Sequence, residues 1–237
     1  MTGALPMLMR FWSWLDDRER MLRRSFGTDI STPAQRRLAQ VHYHVFDHAA
    51  LRMVWTNFFE VAPGVYRSNQ PTRGRFARYR ALGVRTVINL RGEDKHAHYL
   101  FEREACEALG LELVNAKLWA RRTASAERIL AVIAAMRTAR RPFLFHCKSG
   151  ADRAGFAAAV YLMVFEDVPV AVAKKQLGLR YIHLKHTRTG VQDYILEVYE
   201  ARQARGRIGF EDWIAREYDH RAIQAGFDAR RPPHELA

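Results

Sequence analysis

The sequence predicts an α/β fold of three layers, in which a central, mostly parallel sheet of four or five strands is flanked by helices. Short β-branched apolar runs alternate along the chain with helical segments of ten or more residues, which is the pattern of parallel strands joined by crossover helices. Gly83 and Gly110 follow helical segments, where left-handed glycines commonly end helices. The 237 residues suit one domain with an appended helical element.

The strands are predicted from short apolar runs bounded by turn residues. The run VRTVINL over 84–90 is the clearest, because it is β-branched and too short for a buried helix. Before it, Pro63 and Gly64 predict a turn. The predicted strands cover 65–68, 84–90, 111–116 and 142–146. The predicted helices cover about 33–57 with a break near His48, and 72–82, 94–109, 124–138, 153–165, 168–177, 189–204 and 210–225.

Composition indicates a globular protein, since 49% of residues are hydrophobic and 27% are charged. The formal net charge is +13, from 38 Lys and Arg against 25 Asp and Glu. A positive field concentrates anionic ligands, such as phosphorylated small molecules, lipid headgroups or nucleic acid. A dispersed basic surface that only confers solubility is the alternative.

The N-terminal residues 1–60 are predicted to form a helical extension. Trp12 and Trp14 stand near four arginines between residues 18 and 24, a composition typical of helices at a membrane interface. We favour the alternative of an amphipathic helix packed on the domain. No apolar run reaches the roughly 20 residues that span a bilayer, and the N-terminus lacks the pattern of a signal peptide. We therefore expect a cytoplasmic protein, with peripheral contact at the inner face of a membrane as the alternative.

The stretch FLFHCKSGADRAGFAAAVYLM, over 143–163, carries the chemistry. It is an apolar strand, a short loop and an apolar helix. A loop that runs from a strand end into a helix N-terminus directs its backbone N–H groups at one point, and with the helix dipole these form an anion site. Gly150 and Gly155 permit the tight turn and a close approach of backbone to ligand.

Cys147 lies at the mouth of this loop, where the positive helix end stabilises a thiolate. Lys148 adds charge, and Arg153 follows six residues after the cysteine, where its guanidinium can bond two phosphate oxygens. His146 is expected to bond the loop backbone. The alternative for Cys147, a buried core cysteine, fits poorly with Lys, Ser and Gly as the next residues. The chain has only one other cysteine, Cys106, so a disulfide framework is excluded.

These residues resemble a known family. The segment HCKSGADRAG, over 146–155, is similar to the HCx5R signature of the protein-tyrosine and dual-specificity phosphatase superfamily. The segment 65–93 is similar to the opening strands and helix of its bacterial and fungal dual-specificity-like branch, and the resemblance covers roughly 61–199. We predict a cysteine phosphatase domain over 61–205, and a C-terminal helix and tail over 206–237, outside the resemblance, that pack on this domain.

The resemblance also implies a mechanism. Cys147 attacks phosphorus and forms a phosphocysteine, which water then hydrolyses. Arg153 and the loop amides from Lys148 through Ser149, Gly150 and Ala151 hold the equatorial oxygens. Neither a metal nor another cofactor is expected, because the loop supplies the positive charge. His42, His44 and His48 offer a metal site only as a less favoured alternative to a hydrogen-bonded helix face.

The sequence departs from the family pattern at two places. Relatives usually carry Ser or Thr where this chain has Ala154, so turnover of the phosphoenzyme is expected to be slow unless Ser149 substitutes. Relatives also carry a general-acid aspartate on a loop that corresponds to 117–125, and this loop holds no carboxylate. It offers Arg121 and Arg122 instead, which suit an anionic substrate.

Asp152 is the leading candidate for the missing general acid, since myotubularin-type lipid phosphatases place an aspartate immediately before the arginine. Glu93 and Asp94 are the reserve candidates. The alternative for Asp152 is a structural role, in which it bonds loop amides or pairs with a nearby cation. A basic run from Arg180 to Arg188 corresponds to a region that borders the cleft in relatives, with an exposed loop as the alternative.

We expect phosphomonoester hydrolysis of a phosphorylated, anionic substrate. Lys148 with Arg121 and Arg122 favours a phospholipid or a sugar or inositol phosphate, with a phosphoprotein close behind; no nucleic-acid partner is expected. The alternatives are a catalytically weak, phosphate-binding pseudophosphatase, a membrane-surface adaptor and, less favoured, a sulfur-transfer enzyme. The sequence leaves the oligomeric state open.

Overall fold

The computed structural model describes residues 26–47 and 49–237, without the side chains of 50, 51 and 53. The described chain divides into two compact units. The smaller unit comprises residues up to 54 together with 94–104, and the larger unit comprises 55–93 and 105–237. The domain boundaries predicted at 60 and 205 stay predictions. The Trp/Arg-rich segment over 1–24 and His48 lie outside the described residues.

The larger unit contains a five-stranded, mostly parallel sheet, which confirms the predicted fold class. Its strands are β1 (Phe59–Ala62), β2 (Val65–Asn69), β3 (Thr86–Asn89), β4 (Glu112–Asn115) and β5 (Phe143–Cys147), in the order β1-β2-β5-β3-β4. Only the β1–β2 pair is antiparallel among these strands. Strand β5 is therefore central, between two parallel neighbours, and all five of its residues are buried.

Strand β1 was not among the predicted strands. It forms a hairpin with β2 through the predicted turn, where Gly64 has a φ of +73°. Its burial runs from half-buried Phe59 through exposed Glu60 to buried Ala62. Such a short edge strand carries little hydrophobic signal, because one face and one edge meet solvent.

The helices lie along the chain in the predicted places, with shorter bounds. They are α1 (Pro33–Val41), α2 (Ala49–Val54), α3 (Arg73–Ala81), α4 (Ala97–Ala108), α5 (Ala126–Thr138), α6 (Asp152–Phe165), α7 (Val170–Ala173), α8 (Val191–Gln203), α9 (Phe210–Arg216) and α10 (His220–Asp228). A π-helix spans His42–Phe46, and 3-10 turns span Lys174–Gln176, Leu179–Tyr181, Arg188–Gly190 and Pro233–Glu235.

One predicted helix is interrupted near the predicted place, and another is split where no break was predicted. The segment predicted as helical over 33–57, with a break near His48, contains α1, the π-helix and α2, which begins at Ala49. The segment predicted over 210–225 contains α9 and α10, because the Asp219 carboxylate accepts the N–H groups of Arg221 and Ala222 and starts a new helix. Hydrophobic periodicity continues across such a cap, so it does not reveal the break.

The core of the larger unit has two layers, one on each face of the sheet. Phe143 and Phe145 of β5 pack into the larger cluster, which includes Phe156 of α6 and Trp213 of α9. Leu144 points to the other face and packs with residues of α3 and α4. Alternation along the strand therefore holds helices on both sides of β5. Residues of α9 and α10 belong to the larger cluster, so the C-terminal segment packs on this unit.

The smaller unit has its own short core. Thr32 caps α1 by accepting the N–H of Gln35 at 3.2 Å, as the sequence predicts. Ala39, Tyr43, Ala49 and Ala97 form the buried cluster. In neither described segment do three or more His, Cys, Asp or Glu side chains gather in a way that could hold a metal ion. Across the same residues, no helix is long and apolar enough to cross a membrane.

Candidate active site

The candidate site is the loop between the central strand and the helix that follows it. Cys147 is the last residue of β5, and α6 begins at Asp152, so the loop has only four residues. The Gly150 N–H points at the Cys147 sulfur at 3.3 Å. Cys147 itself is 1% exposed, while Ser149 beside it is exposed. The predicted strand, loop and helix are thus present, with a backbone donor directed at the thiol.

Gly150 has the backbone conformation that the sequence analysis assigned to it. Its φ is +73°, in the left-handed region that L-residues rarely adopt. A Cβ at this position would lie 2.6 Å from the Asn69 nitrogen, 2.8 Å from the Ser68 carbonyl carbon and 2.9 Å from Asn57 Cβ. The loop therefore lies directly against the end of β2, with room only for a glycine.

Arg67, in the middle of β2, holds the loop from below. Its side chain is fully buried and donates to the carbonyls of Gly150 at 2.7 Å and Ala151 at 3.2 Å. It also donates to Gln176 and lies 3.9 Å from the centre of the Tyr181 ring. Burial lowers the pKa of Arg67 to about 10. Arg67 therefore holds two loop carbonyls, while the Gly150 N–H is directed at the Cys147 sulfur.

Asn57 is a second support for the loop. Its side-chain amide donates to the Ser149 carbonyl at 3.2 Å and to the Tyr181 carbonyl at 2.9 Å. It therefore joins the loop over 148–151, which we call the phosphate loop, to a second segment. This second segment covers residues 178–190, and we call it the 178–190 segment. Both Asn57 and Arg67 contact that segment as well as the loop, so the two are held together.

Arg153 lies at the start of α6, with its guanidinium beside the cysteine. Burial lowers the pKa of Arg153, and Arg91 adds to this effect. The charge of the Cys147 sulfur, a hydrogen bond to it and the charge of Asp152 oppose the shift. Among the described residues the Arg153 Nε has no hydrogen-bond partner although it is buried. The spacing of six residues thus brings the two predicted groups together.

Asp152 takes part in a buried chain of three ionisable side chains. Its Oδ1 lies 2.7 Å from His183 Nδ1, and His183 Nε2 lies 2.6 Å from Asp193 Oδ2. Burial disfavours a charge on His183, yet the two carboxylates raise its pKa to about 9. Because both ring nitrogens face carboxylates, the imidazolium donates to both. Asp152 therefore has the cation partner that the sequence analysis named as the alternative to proton donation.

The two arginines of the 117–125 loop lie at the same opening. Arg121 and Arg188 line a cleft of about 400 Å³ with Ser149, Ala151 and Asp152. Arg121, Arg122, Arg153 and Arg188 line an adjoining cleft of about 550 Å³. We call these the loop cleft and the arginine cleft. The predicted substrate-binding arginines are thus brought to the predicted phosphate site, together with one arginine of the basic run.

The structure gives less information on how the remaining predicted site residues could take part in the site. Lys148 is half-buried, and its carbonyl accepts from the Gln70 N–H at 3.3 Å. His146 is fully buried in β5, with its ring edge-on to Phe76 at 6.4 Å; its bond to the loop stays a prediction. Glu93 is exposed. Asp94 belongs to the smaller unit, where it bonds the His96 ring at 2.5 Å.

Several supporting residues were missed from the sequence. Asn57 and Arg67 contact the loop from 92 and 83 positions away, and Asp193 reaches Asp152 only through His183, so no local motif contains them. One sequence feature could have indicated the role of Arg67. An arginine in the middle of a short buried strand needs hydrogen-bond acceptors inside the protein. His183 lay in the basic run predicted to border the cleft, but its two carboxylate partners were not foreseen.

The fold and the loop together define a cysteine-phosphatase type of site: a thiol at the end of a central parallel strand, faced by amides and an arginine. The chain belongs to the family described as DSP-PTPase phosphatase fused to NAD+ kinase, whose model matches residues 56–189. The match ends before α8, so Asp193 and everything C-terminal to it lie beyond the matched segment.

Individual relatives agree with this family. The dual specificity protein phosphatase TpbA of Pseudomonas aeruginosa strain UCBPP-PA14 is 30% identical over 126 residues, which are 52% of this chain and 54% of the relative. The chain thus spans about half the length of that relative. The crystal structure of P. aeruginosa TpbA has a TM-score of 0.48 at 20% identity, covering 73% of this chain and 91% of the other. Tk-PTP in its active form has a TM-score of 0.48 at 20% identity, with coverages of 62% and 99%.

Proposed function

We propose that this chain is a cysteine-dependent phosphatase that hydrolyses phosphomonoesters through a phosphocysteine on Cys147. The observation that carries the proposal is the convergence of the Gly150 N–H and the Arg153 guanidinium on one sulfur at a strand end. These donors match the oxygens of a phosphoryl group and stabilise the charge that develops on them during transfer.

The reaction has two steps in this proposal. The Cys147 thiolate attacks phosphorus, the bond to the leaving oxygen breaks, and that oxygen departs as an oxyanion that takes a proton from water. Water then attacks the phosphocysteine, which releases phosphate and restores the thiolate. Arg153 and the amides over 148–153 hold the equatorial oxygens in both steps. Ala154 offers no hydroxyl to the departing sulfur, which supports a slow second step.

Hydrolysis of p-nitrophenyl phosphate tests the proposal. We expect activity in the wild-type protein and none in Cys147→Ser, because a hydroxyl is a far weaker nucleophile than a thiolate. Cys106→Ala is the matched control, since the other cysteine is buried in the α3–α4 cluster and should leave turnover in place. A wild-type protein that binds phosphate without hydrolysing the ester would favour the pseudophosphatase instead.

We propose that the substrate carries more than one negative group. Support comes from Arg121 and Arg122, which line the same cleft as Arg153. A phospholipid or a sugar or inositol phosphate has this chemistry. A phosphoprotein is the other candidate, since the relative TpbA is a dual specificity protein phosphatase. A phosphate-release screen across lipid, inositol, sugar and peptide phosphates at low ionic strength would separate these classes.

We further propose a cytoplasmic location, with peripheral binding to an anionic membrane through the Trp/Arg-rich N-terminus as the finer hypothesis. The support is compositional, because Trp12 and Trp14 stand near several arginines. Sedimentation with anionic liposomes, with and without residues 1–30, tests it. Equal sedimentation of both proteins would remove the N-terminus from membrane binding.

A further inference from the structure

The arginine cleft continues into a third cleft that lies farther from the phosphate loop. This third cleft has a volume of about 610 Å³ and shares Trp119, Arg122, Gln224 and Asp228 with the arginine cleft. We call it the distal cleft. The arginine cleft in turn shares Arg121 and Arg188 with the loop cleft. The three clefts therefore adjoin one another in a row between the phosphate loop and α10.

The distal cleft is lined by three arginines, one of which lies beyond the family match. Arg122, Arg128 and Arg221 line it, together with His220. Arg221 and His220 lie in α10, beyond the matched residues 56–189. In the described part of the chain, these three arginines make no ion pair within 4.0 Å, whereas Arg137 and Arg202 elsewhere on the surface each pair with a glutamate.

Trp119 orders these cations. The Arg122 guanidinium lies 4.1 Å from the centre of the Trp119 ring, and the Arg128 guanidinium lies 5.6 Å from it. Lys117 also lies over the ring, at 4.8 Å. A stacked guanidinium keeps its N–H fork free for an anion while losing little freedom on binding.

The walls of the distal cleft are held in place by hydrogen bonds between the 117–125 loop and the C-terminal helices. The Thr123 N–H donates to the Gln224 side chain at 2.9 Å, and its hydroxyl donates to the His220 carbonyl at 2.8 Å. Tyr218 donates to the Ala124 carbonyl at 2.8 Å, and Gln192 donates to the Trp119 carbonyl at 2.9 Å. The cationic lining is therefore built on a fixed frame.

From this arrangement we propose that the distal cleft is a second anion subsite, which binds a further phosphate group of a polyphosphorylated small molecule while the first phosphate occupies the Cys147 loop. The inference rests on the proposed phosphatase function and adds the class of substrate. Asp228 is the carboxylate in the lining; it accepts a hydrogen bond from Gln224 at 3.0 Å and is outnumbered by the arginines.

The chemistry of the lining decides among anionic ligands. The cations over Trp119 occupy the ring that a nucleotide base would need for stacking. Ala225 and the Trp119 ring are the apolar members of the lining, which offers little to an acyl chain. Clustered arginines on a fixed frame instead favour closely spaced phosphates, because each guanidinium can bond two phosphate oxygens.

The test compares two inorganic probes, orthophosphate and tripolyphosphate, as ligands of the full-length Cys147→Ser protein by titration calorimetry. The subsite predicts that Arg128→Ala/Arg221→Ala raises the ratio of the tripolyphosphate Kd to the orthophosphate Kd by about tenfold or more, the loss of about one good charge-assisted contact. The matched control is Arg85→Ala/Arg207→Ala, which removes two exposed arginines that line none of the three clefts. The control should leave the ratio unchanged.

Two outcomes would overturn the subsite. If the ratio moves equally in both double variants, only the general positive field attracts the longer anion. If Arg128→Ala/Arg221→Ala weakens binding of a doubly phosphorylated peptide and not of tripolyphosphate, the distal cleft binds a protein substrate. Both results come from binding and do not depend on turnover. A wild-type protein that does not hydrolyse p-nitrophenyl phosphate would overturn the proposed phosphatase function, but it would not change the measured ratio of the two Kd values.

Discussion

At the scale of single residues, the phosphate loop depends on side chains that never touch the phosphate. Arg67 holds two loop carbonyls from below, and Asn57 holds a third. Each buried carbonyl that lost its donor would cost about 1–3 kcal/mol. These donors fix the loop in the conformation that directs the Gly150 N–H at the cysteine.

Gly150→Ala tests this close fit. The left-handed conformation alone costs an alanine about 1–2 kcal/mol, and the new Cβ would meet the Asn69 nitrogen at 2.6 Å. We expect lower thermal stability and at least about a hundredfold loss of kcat/KM, since a shifted donor no longer meets the oxyanion. Gly74→Ala is the control, because a Cβ there has no neighbour within 4 Å. Equal behaviour of the two variants would contradict the close packing.

Asp152→Asn separates the two roles left open for this residue. Because His183 holds Asp152 as a hydrogen-bond acceptor, we expect a similar fractional loss of kcat on p-nitrophenyl phosphate and on phenyl phosphate, whose leaving group is poorer. A general acid would behave differently, with a loss of about 10²–10⁴ confined to the poorer leaving group. That second pattern would restore Asp152 as the proton donor.

The chemical residues could be predicted from the sequence because they are neighbours in it. Cys147 and Arg153 belong to one strand–loop–helix unit, whose geometry follows from its glycine and its helix start. Arg67, Asn57 and Asp193 could not be predicted, since their contacts depend on how distant strands and helices pack. Arg121 and Arg122 were identified by charge alone, and their place beside Arg153 needed the structure.

At the scale of elements, the 178–190 segment covers one side of the phosphate loop. It contains two 3-10 turns and, between them, Ile182 with a φ of +57°, an unusual conformation for a β-branched residue. Asn57 bonds the carbonyl before Ile182, and His183 after it joins Asp152 to Asp193. The strained backbone is thus held from both sides.

The His183 link makes a pH-dependent contribution to stability. Its pKa of about 9 in the folded chain lies above the ordinary value of 6.5, so the stabilisation is fully present below pH 6.5 and is lost as the pH rises through about 9. We expect the difference in Tm between wild type and His183→Gln to be largest near pH 6 and to shrink towards pH 10.

His186→Gln is the control for that series, because His186 is an exposed residue of the same segment. Its Tm should follow the wild type across the same pH range. A wild-type to His183→Gln difference that stays constant from acid to alkaline pH would show that His183 contributes by packing and not as a cation between two carboxylates.

Some strands and helices could be predicted from the sequence and others could not. The four predicted strands agree with β2 to β5 within about two residues at each end, because short runs bounded by turn residues indicate strands. The edge strand β1 and the split between α9 and α10 were not predicted. The first depends on pairing with β2, and the second depends on one carboxylate cap.

At the scale of the whole molecule, the fold places part of the net charge of +13 at one site. The net charge alone predicted an anionic ligand but did not indicate where on the protein it would bind. The structure gathers Arg121, Arg122, Arg153 and Arg188 at one cleft beside the phosphate loop. Four arginines outnumber the one carboxylate, Asp228, in the lining of this cleft, and such a cleft attracts an anion more strongly than a dispersed basic surface does.

The measurement that tests the central claim most directly is identification of the phosphorylated residue during turnover. The wild-type protein is quenched in acid while it hydrolyses p-nitrophenyl phosphate, digested and analysed by peptide mass spectrometry. We predict one added phosphoryl group on Cys147, and we expect the lack of a hydroxyl at Ala154 to slow its hydrolysis and make it easier to trap. A phosphoryl group on any other residue, or undiminished hydrolysis by Cys147→Ser, would contradict the account.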